Sequence, residues 1–124
     1  MNNDRFNTYY TTICYRSEPI SNIIDKELRT IIKNMFVYFS EKLDKHEKRI
    51  DEVHYQVLFL TCLIITIKYE KEISFSLDTF KYFTQETLEY SNICDVISKL
   101  EIMLLSHINF DIDKFRTKIK SESN

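Results

Sequence analysis

The strongest pattern in the chain is a stripe of apolar residues that repeats at steps of three and four between Ile23 and Leu43. This spacing places the apolar side chains on one face of an α-helix, so it predicts an amphipathic helix that packs one side against a core. Ser21 or Asn22 is positioned to cap the N-terminus of this helix. The stripe consists of Ile24, Leu28, Ile31, Ile32, Met35, Phe36, Phe39 and Leu43.

A second helix is predicted from Val53 to Tyr69, and its pattern is different. Between Val57 and Ile67 apolar residues occur on nearly every side of the helix. A helix of that kind is stable in water only when other elements surround it. We therefore expect this helix to form the centre of the fold.

Two more helices are predicted in the second half of the chain. Ser76 begins a segment of two turns over residues 77–83, and a longer helix runs from about Asn92 to His107. Asn92, with Asp95 three residues later, suits the start of that longer helix. Its apolar face comprises Ile93, Val96, Ile97, Leu100, Leu104 and Ile108.

Three segments are more polar than the predicted helices. Residues 1–21 form a polar N-terminal segment in which a short helix fits, residues 44–52 are almost wholly charged, and residues 113–124 form a charged C-terminal tail. The helical domain is therefore expected to span residues 22–112. The apolar residues at roughly helical spacing in the N-terminal segment are Phe6, Tyr9, Tyr10 and Ile13.

The chain has no glycine, and its single proline is Pro19. Tight β-hairpin turns usually require residues that adopt positive φ, and glycine does so at the lowest cost. An all-β fold is therefore disfavoured. Together with the helical periodicity, this predicts an all-α bundle of about five helices around one buried central helix.

Charge and hydropathy exclude several classes of partner. Seventeen Lys and Arg side chains oppose 19 Asp and Glu, which leaves a net charge of −2, so we expect no nucleic-acid partner. The longest apolar run, around Leu58 to Ile67, covers about a dozen residues, whereas a membrane-spanning helix takes ~20. We expect no membrane partner and an intracellular protein of the nucleus, the cytoplasm or both.

The chain also lacks the residue patterns of an enzyme. It has no Cys-x-x-Cys pair, no two histidines at i, i+4 spacing, no glycine-rich phosphate loop and no set of nucleophile and base. We therefore predict no metal, no cofactor, no small-molecule substrate and no catalytic residue. The cysteines and histidines in question are Cys14, Cys62, Cys94, His46, His54 and His107.

Residues 57–112 resemble the second half of a cyclin box. The central helix ends in Ile67-Lys68-Tyr69-Glu70, which is similar to the family's Ala-Ser-Lys-Tyr-Glu-Glu. Then come the short helix and a helix with the segment Lys99 to Leu105, which is similar to the family's Met-Glu or Leu-Glu followed by leucines. Asn109-Phe110-Asp111-Ile112 resembles its Phe-Asp-Leu ending. None of these motifs is specific to the family by itself, but four of them in the family's order are much harder to obtain by chance.

The resemblance implies a kinase-binding surface. In cyclins a lysine and a glutamate at the positions of Lys68 and Glu101 lie side by side and bind the backbone of the kinase helix and loop that move on activation. Their spacing here, 33 residues, is slightly longer than usual, and the loop around residues 84–92 can hold the excess. The apolar residues implied around the pair are Ile65, Tyr69, Leu105, Phe110 and Ile112.

The first half of the chain matches the family less well. Tyr38 to Leu43 corresponds to the family's Tyr-Ile-Asp-Arg-Phe-Leu, with Ser40 in place of the aspartate. The alternative register takes Leu28 to Ile32 as the start of the first cyclin helix. The chain has room for one box, and it looks nearest to the short P-type or phosphate-pathway cyclins, whose Pro-Ile-Ser region resembles Pro19-Ile20-Ser21.

The resemblance implies a regulatory subunit that binds and activates a cyclin-dependent-kinase-like protein kinase. Three alternatives remain open at this point. One is a cyclin-fold adaptor or transcription-related protein, akin to the helical repeats of transcription factor IIB. Another is a viral decoy that occupies a kinase without activating it, and the last is a helical bundle with no kinase partner.

Overall fold

The computed structural model describes residues 1–46, 50–71 and 90–116, with the side chains of the last range described from residue 95 onward. Within these ranges the protein is built from α-helices and contains no strand, which confirms the all-α prediction. The short helix predicted over residues 77–83 lies outside them. The helices are α1 (Asn2–Arg16), α2 (Glu18–Ile23), α3 (Lys26–Asp44), α4 (Glu52–Lys71), α5 (Tyr90–His107) and a 3-10 helix (Ile112–Phe115).

Helix α4 is the central helix, as predicted. Every residue from Leu58 to Ile67 is buried, and the helix packs against α1, α3 and α5. Two of these buried residues are polar, and each satisfies its hydroxyl within the helix: Thr61 donates to the carbonyl of Val57 and Thr66 to that of Cys62, both at 2.8 Å. Burial also raises the pKa of the Cys62 thiol, which keeps it uncharged.

Helix α1 is longer and more deeply packed than its polar sequence indicated. It runs for 15 residues, and Phe6, Tyr9 and Ile13 on one face are buried. The ring of Phe59 in α4 lies 5.8 Å from Phe6 and 5.7 Å from Tyr9 between centroids, and 6.0 Å from Phe36 of α3. The polar composition misled because the asparagines and threonines of α1 occupy the remaining faces.

The helix boundaries around residue 24 differ from the prediction. A separate helix, α2, precedes α3, and Ile24 between them is extended, with φ −83° and ψ 112°. Ser17 caps α2, and the Asp25 side chain caps α3 by accepting a hydrogen bond of 2.8 Å from the amide of Leu28. The predicted cap at Ser21 or Asn22 is therefore wrong: Ser21 lies inside α2.

A polar network joins α1 to the facing ends of α3 and α4. The Arg5 guanidinium stacks 3.8 Å from the centre of the Tyr55 ring and bonds Glu52, which also accepts from the Tyr9 hydroxyl. Tyr55 donates to Asp44 at 2.5 Å. Burial alone would raise the pKa of Asp44, but the hydrogen bonds and the nearby arginine outweigh it and hold this pKa below its usual value. The predicted solvated connection thus has both of its ends anchored.

The chain after α5 also packs onto the core. Phe115 of the 3-10 helix is buried, with its ring 5.4 Å from that of Tyr38, and its carbonyl accepts a hydrogen bond of 2.7 Å from the Asn34 side chain. The sequence pattern had assigned this stretch to a charged tail, since Phe115 stands among charged residues. Over the described ranges, no helix combines the length and apolar character needed to cross a bilayer.

Replacing Phe59 by alanine should remove the centre of the aromatic cluster. We expect Phe59→Ala to lower the free energy of unfolding by about 3 to 5 kcal/mol, because a buried phenyl ring is lost and a cavity is left. Urea unfolding measured by circular dichroism tests this. Tyr15→Ala, which removes a fully solvated ring from α1, is the control and should stay within about 0.5 kcal/mol of the wild type.

The cap at Asp25 should make part of the stability pH-dependent. The Leu28 amide, followed by Lys71 at 3.5 Å, holds the pKa of Asp25 below its ordinary value. A lowered folded-state pKa gives stability that is present above the unfolded pKa, about 3.9, and is lost as pH falls through the folded pKa. Asparagine caps helices as well but does not titrate.

We therefore expect the wild type to lose stability relative to Asp25→Asn as the pH falls below about 4. Thermal unfolding of both proteins across the acidic range measures the difference. Parallel curves for the two proteins would show that the cap does not contribute through the charge of Asp25.

Candidate protein-binding site

Lys68 and Glu101 contact each other on the surface of the bundle. Lys68 lies in the last turn of α4 and Glu101 in the middle of α5, and the packing of these helices brings their side chains together. The Lys68 ammonium nitrogen lies 3.2 Å from one carboxylate oxygen of Glu101 and 3.3 Å from the other. The structure thus places side by side two residues that are 33 positions apart in the chain.

The pair remains accessible. The Lys68 side chain is 48% exposed and that of Glu101 is 16% exposed. Lys68 is the more accessible member, and an ion pair at the surface stabilises a fold by only about 0 to 1 kcal/mol, because water screens the charges and both side chains lose freedom. The ammonium retains a further donor and the carboxylate further lone pairs. The pair can therefore bind a backbone carbonyl and a backbone amide of another protein.

Exposed apolar side chains are present on the segments that carry the pair. Tyr69 follows Lys68, Ile102 follows Glu101, and Phe110 lies just after α5; all three are exposed. Tyr69 and Phe110 are among the residues implied by the resemblance. The sequence pattern did not indicate Ile102 as a site residue, because Ile102 lies off the predicted apolar stripe of α5. An apolar residue outside that stripe is the signal that could have identified it.

Three residues implied for the site are buried. Ile65, Leu105 and Ile112 are 0%, 3% and 7% exposed and belong to the core. Ile65 lies one turn before Tyr69 on α4, and Leu105 one turn after Glu101 on α5. These side chains therefore pack beneath the site and leave little surface for direct contact with a partner. On α5, Val96 also departs from the prediction, since it is exposed although the pattern placed it on the buried face.

A turn in the left-handed region presents Phe110. Asn109 and Phe110 have φ values of 54° and 60°, and the amide of Phe110 donates to the carbonyl of Leu105 at 2.8 Å, which satisfies one of the last carbonyls of α5. Glycine usually occupies such positions, but this chain has none. The Phe110 ring is nevertheless 61% exposed, so packing does little to offset the backbone cost.

Arg116 holds the chain after this turn against the bundle. Its guanidinium donates to the carboxylates of Asp113, of Glu70 in α4 and of Glu27 in α3. These hydrogen bonds raise the pKa of Arg116, so it stays charged. Glu70 lies only two residues after Lys68. The arginine therefore ties the end of α4 to the segment that carries Phe110.

The described residues show no metal centre. His46, His54 and His107 are all exposed, Cys14 is half-buried and Cys62 is buried. In the parts of the chain that the structure describes, no three His, Cys, Asp or Glu side chains are grouped to hold a metal ion.

The family model for the cyclin N-terminal domain matches residues 28–113. This range contains all but the first two residues of α3 and the whole of α4 and α5, together with the Lys68–Glu101 pair and the turn at Phe110. The chain belongs to the cyclin family. Comparison with curated proteins and with solved structures gave no match. This cyclin has the helical bundle expected of the family, with α4 at its centre. Helices α1 and α2 precede the matched range.

The conformation of Phe110 should cost stability. A residue with a Cβ atom pays about 1 to 2 kcal/mol in the left-handed region, and glycine does not, although it loses more chain entropy on folding. We expect Phe110→Gly to raise the free energy of unfolding by about 0.5 to 1 kcal/mol, measured by urea unfolding. Phe110→Ala removes the same ring and keeps the backbone cost, so it should show no such gain. Equal effects of both substitutions would contradict a backbone origin.

Proposed function

We propose that this cyclin is a regulatory subunit that binds a cyclin-dependent-kinase-like protein kinase through the surface around Lys68 and Glu101. The observation that carries the proposal is the contact between these two side chains at 3.2 Å within the matched cyclin domain. Their order along the chain resembles that of the family's kinase-binding lysine and glutamate, with a slightly longer spacing, and this resemblance supports the proposal. The exposed rings of Tyr69 and Phe110 would supply apolar contact area beside the pair.

The proposed mechanism is a shift in the kinase's conformational equilibrium. Lys68 would donate to a backbone carbonyl of the kinase, and Glu101 would accept from a backbone amide. Because these groups contact a helix and loop that move between inactive and active arrangements, binding would favour the arrangement in which they are correctly placed. The kinase supplies ATP, magnesium and all of the chemistry. We propose that this occurs in the nucleus, the cytoplasm or both.

The energetics favour an interface role for the pair over a bracing role. When the same charges are bound to a partner's backbone and removed from water, they contribute more. Truncating one partner of a buried, hydrogen-bonded charge pair typically costs about 2 to 5 kcal/mol of binding free energy. The contribution of the Lys68–Glu101 pair to the free energy of folding is far smaller, about 0 to 1 kcal/mol. A variant of this pair should therefore remain folded while losing its partner.

We expect the double variant Lys68→Ala/Glu101→Ala to lose at least about 25-fold in affinity for the kinase. The measurement is a pull-down from lysate of the source cell with immobilised protein, followed by mass spectrometry and titration of the kinase identified. The control Lys71→Ala/Asp95→Ala removes one exposed charge from each of the same two helices and should bind like the wild type.

A kinase assay on the eluate then separates two roles. Phosphorylation that depends on the wild-type cyclin supports an activator, whereas a kinase retained without gain of activity supports a decoy. Recovery of no kinase, or equal recovery by the wild type and the Lys68/Glu101 variant, would overturn the proposed interface.

A further inference from the structure

A second surface feature adjoins the helix that carries Glu101 but does not include the Lys68–Glu101 pair. It is an apolar pocket of about 670 Å³ between the C-terminal half of α3, the N-terminal half of α4 and α5. Neither Lys68 nor Glu101 lines it, and its floor in α4, at Val57 and Leu58, lies ten or more residues before Lys68. At a rise of ~1.5 Å per residue that separation is roughly 15 Å along the helix. The apolar lining also includes Phe39, Leu43, Leu100 and Met103.

The charged side chains among the described lining residues of the pocket are two lysines, Lys42 and Lys99, and none of these lining residues is acidic. The imidazoles of His46 and His54 also line it. Asp44 and Glu52 lie close by in sequence, but they bond Tyr55 and Arg5 in the network that joins α1 to this end of the bundle. The rim is therefore basic although the chain as a whole has a net charge of −2. An occupant with acidic groups at its edge complements it.

Lys99 does have a carboxylate partner, Asp95, at 3.2 Å. Both side chains are well exposed and one helical turn apart. A pair of this kind is weak in water, so an acidic partner can compete for Lys99. The Lys42 ammonium lies 4.8 Å from the centre of the Tyr38 ring, an arrangement that leaves its charge uncompensated.

The walls of the pocket favour a helix as its occupant. Apart from His46, which follows α3, the described residues that line the pocket lie in helices, whose backbone groups are already bonded internally. These residues therefore present no sheet edge to an extended peptide. An extended segment would bury unsatisfied amides and carbonyls there, whereas a helix satisfies its own. Along α5 the lining runs from Val96 to Leu104, about 12 Å or two helical turns. That length suits apolar anchors at i, i+3, i+4 and i+7.

Two exposed apolar side chains on α5 support a docking role. Val96 and Met103 both line the pocket and are 46% and 65% exposed. They lie seven residues apart, on the same face of the helix. Methionine adapts its shape readily and is favoured at surfaces that accept helices.

We propose that this pocket is a second docking site, which takes an amphipathic helix of a partner protein whose apolar face is flanked by Asp and Glu. The site uses a different face of α5 from the proposed kinase interface, since Leu100 and Leu104 line it and Glu101 does not. Its ligand is defined by the apolar floor, the helical walls and the basic rim.

The test uses the full chain and a fluorescein-labelled, helix-forming peptide with leucines at i, i+3, i+4 and i+7 and glutamates on both flanks. We expect saturable binding by fluorescence anisotropy that weakens as salt is raised, because salt screens the rim charges. The same peptide with lysines on its flanks should bind at least about tenfold more weakly.

Variants of the protein test the location. Met103→Glu should weaken binding of the acidic peptide at least about tenfold, because it puts a like charge in the apolar wall. Ile102→Glu is the matched control: Ile102 is the preceding residue on α5, equally exposed at 63%, and does not line the pocket. It should bind the peptide like the wild type. Lys68→Ala/Glu101→Ala should also bind it normally, which separates this site from the kinase interface.

Several outcomes would overturn the proposal. Equal binding by the Met103→Glu and Ile102→Glu proteins would remove the pocket as the site, and equal binding of the two peptides would remove the basic rim as its determinant. If no peptide binds, thermal unfolding and size-exclusion chromatography identify the true occupant. Loss of stability in Met103→Glu would indicate another part of this chain, and loss of a dimer would indicate a second copy.

Discussion

Helix α4 has no polar face over its central turns, and the rest of the structure follows from that constraint. A helix of this kind must be covered on every side, and α1, α3 and α5 each supply part of the cover. The aromatic cluster around Phe59 fixes how α1 and α3 approach, since three rings from those helices meet it. Helix α5 packs against another side of α4, and this packing brings Glu101 to Lys68. The candidate site is thus a consequence of how the core is enclosed.

Two arginines organise the charged residues of an acidic chain. Arg5 engages Glu52 near the junction of α3 and α4, and Arg116 engages Glu27 and Glu70 at the opposite end of those helices. Each arginine removes carboxylates from the surface potential of its neighbourhood. The accessible charges that remain include the Lys68–Glu101 pair and, at the rim of the pocket, Lys42 and Lys99. The distribution of charge on the surface therefore depends on which side chains form ion pairs with each other, and not only on the composition of the chain.

The absence of glycine gives the turn after α5 its character. Asn109 and Phe110 adopt backbone conformations that glycine would adopt at lower cost. The buried Ile112 and Phe115, together with Arg116, anchor the chain beyond the turn, so the conformation persists although the Phe110 ring packs poorly. Strained backbone conformations of this kind are concentrated at functional sites of proteins.

Local pattern was sufficient for some features of this cyclin and insufficient for others. The all-α class, the central position of α4 and the apolar face of α3 all follow from periodicity and from the missing glycine, because these properties depend on near neighbours in the chain. The order of the cyclin-like motifs pointed to Lys68 and Glu101 as neighbours, and the two side chains contact each other. The depth of α1, the cap at Asp25 and the role of Arg116 did not follow, nor did the burial of Ile65 beside the exposure of Tyr69. Periodicity indicates which side chains share a face, but burial depends on which distant segment covers that face, and only packing in three dimensions settles it.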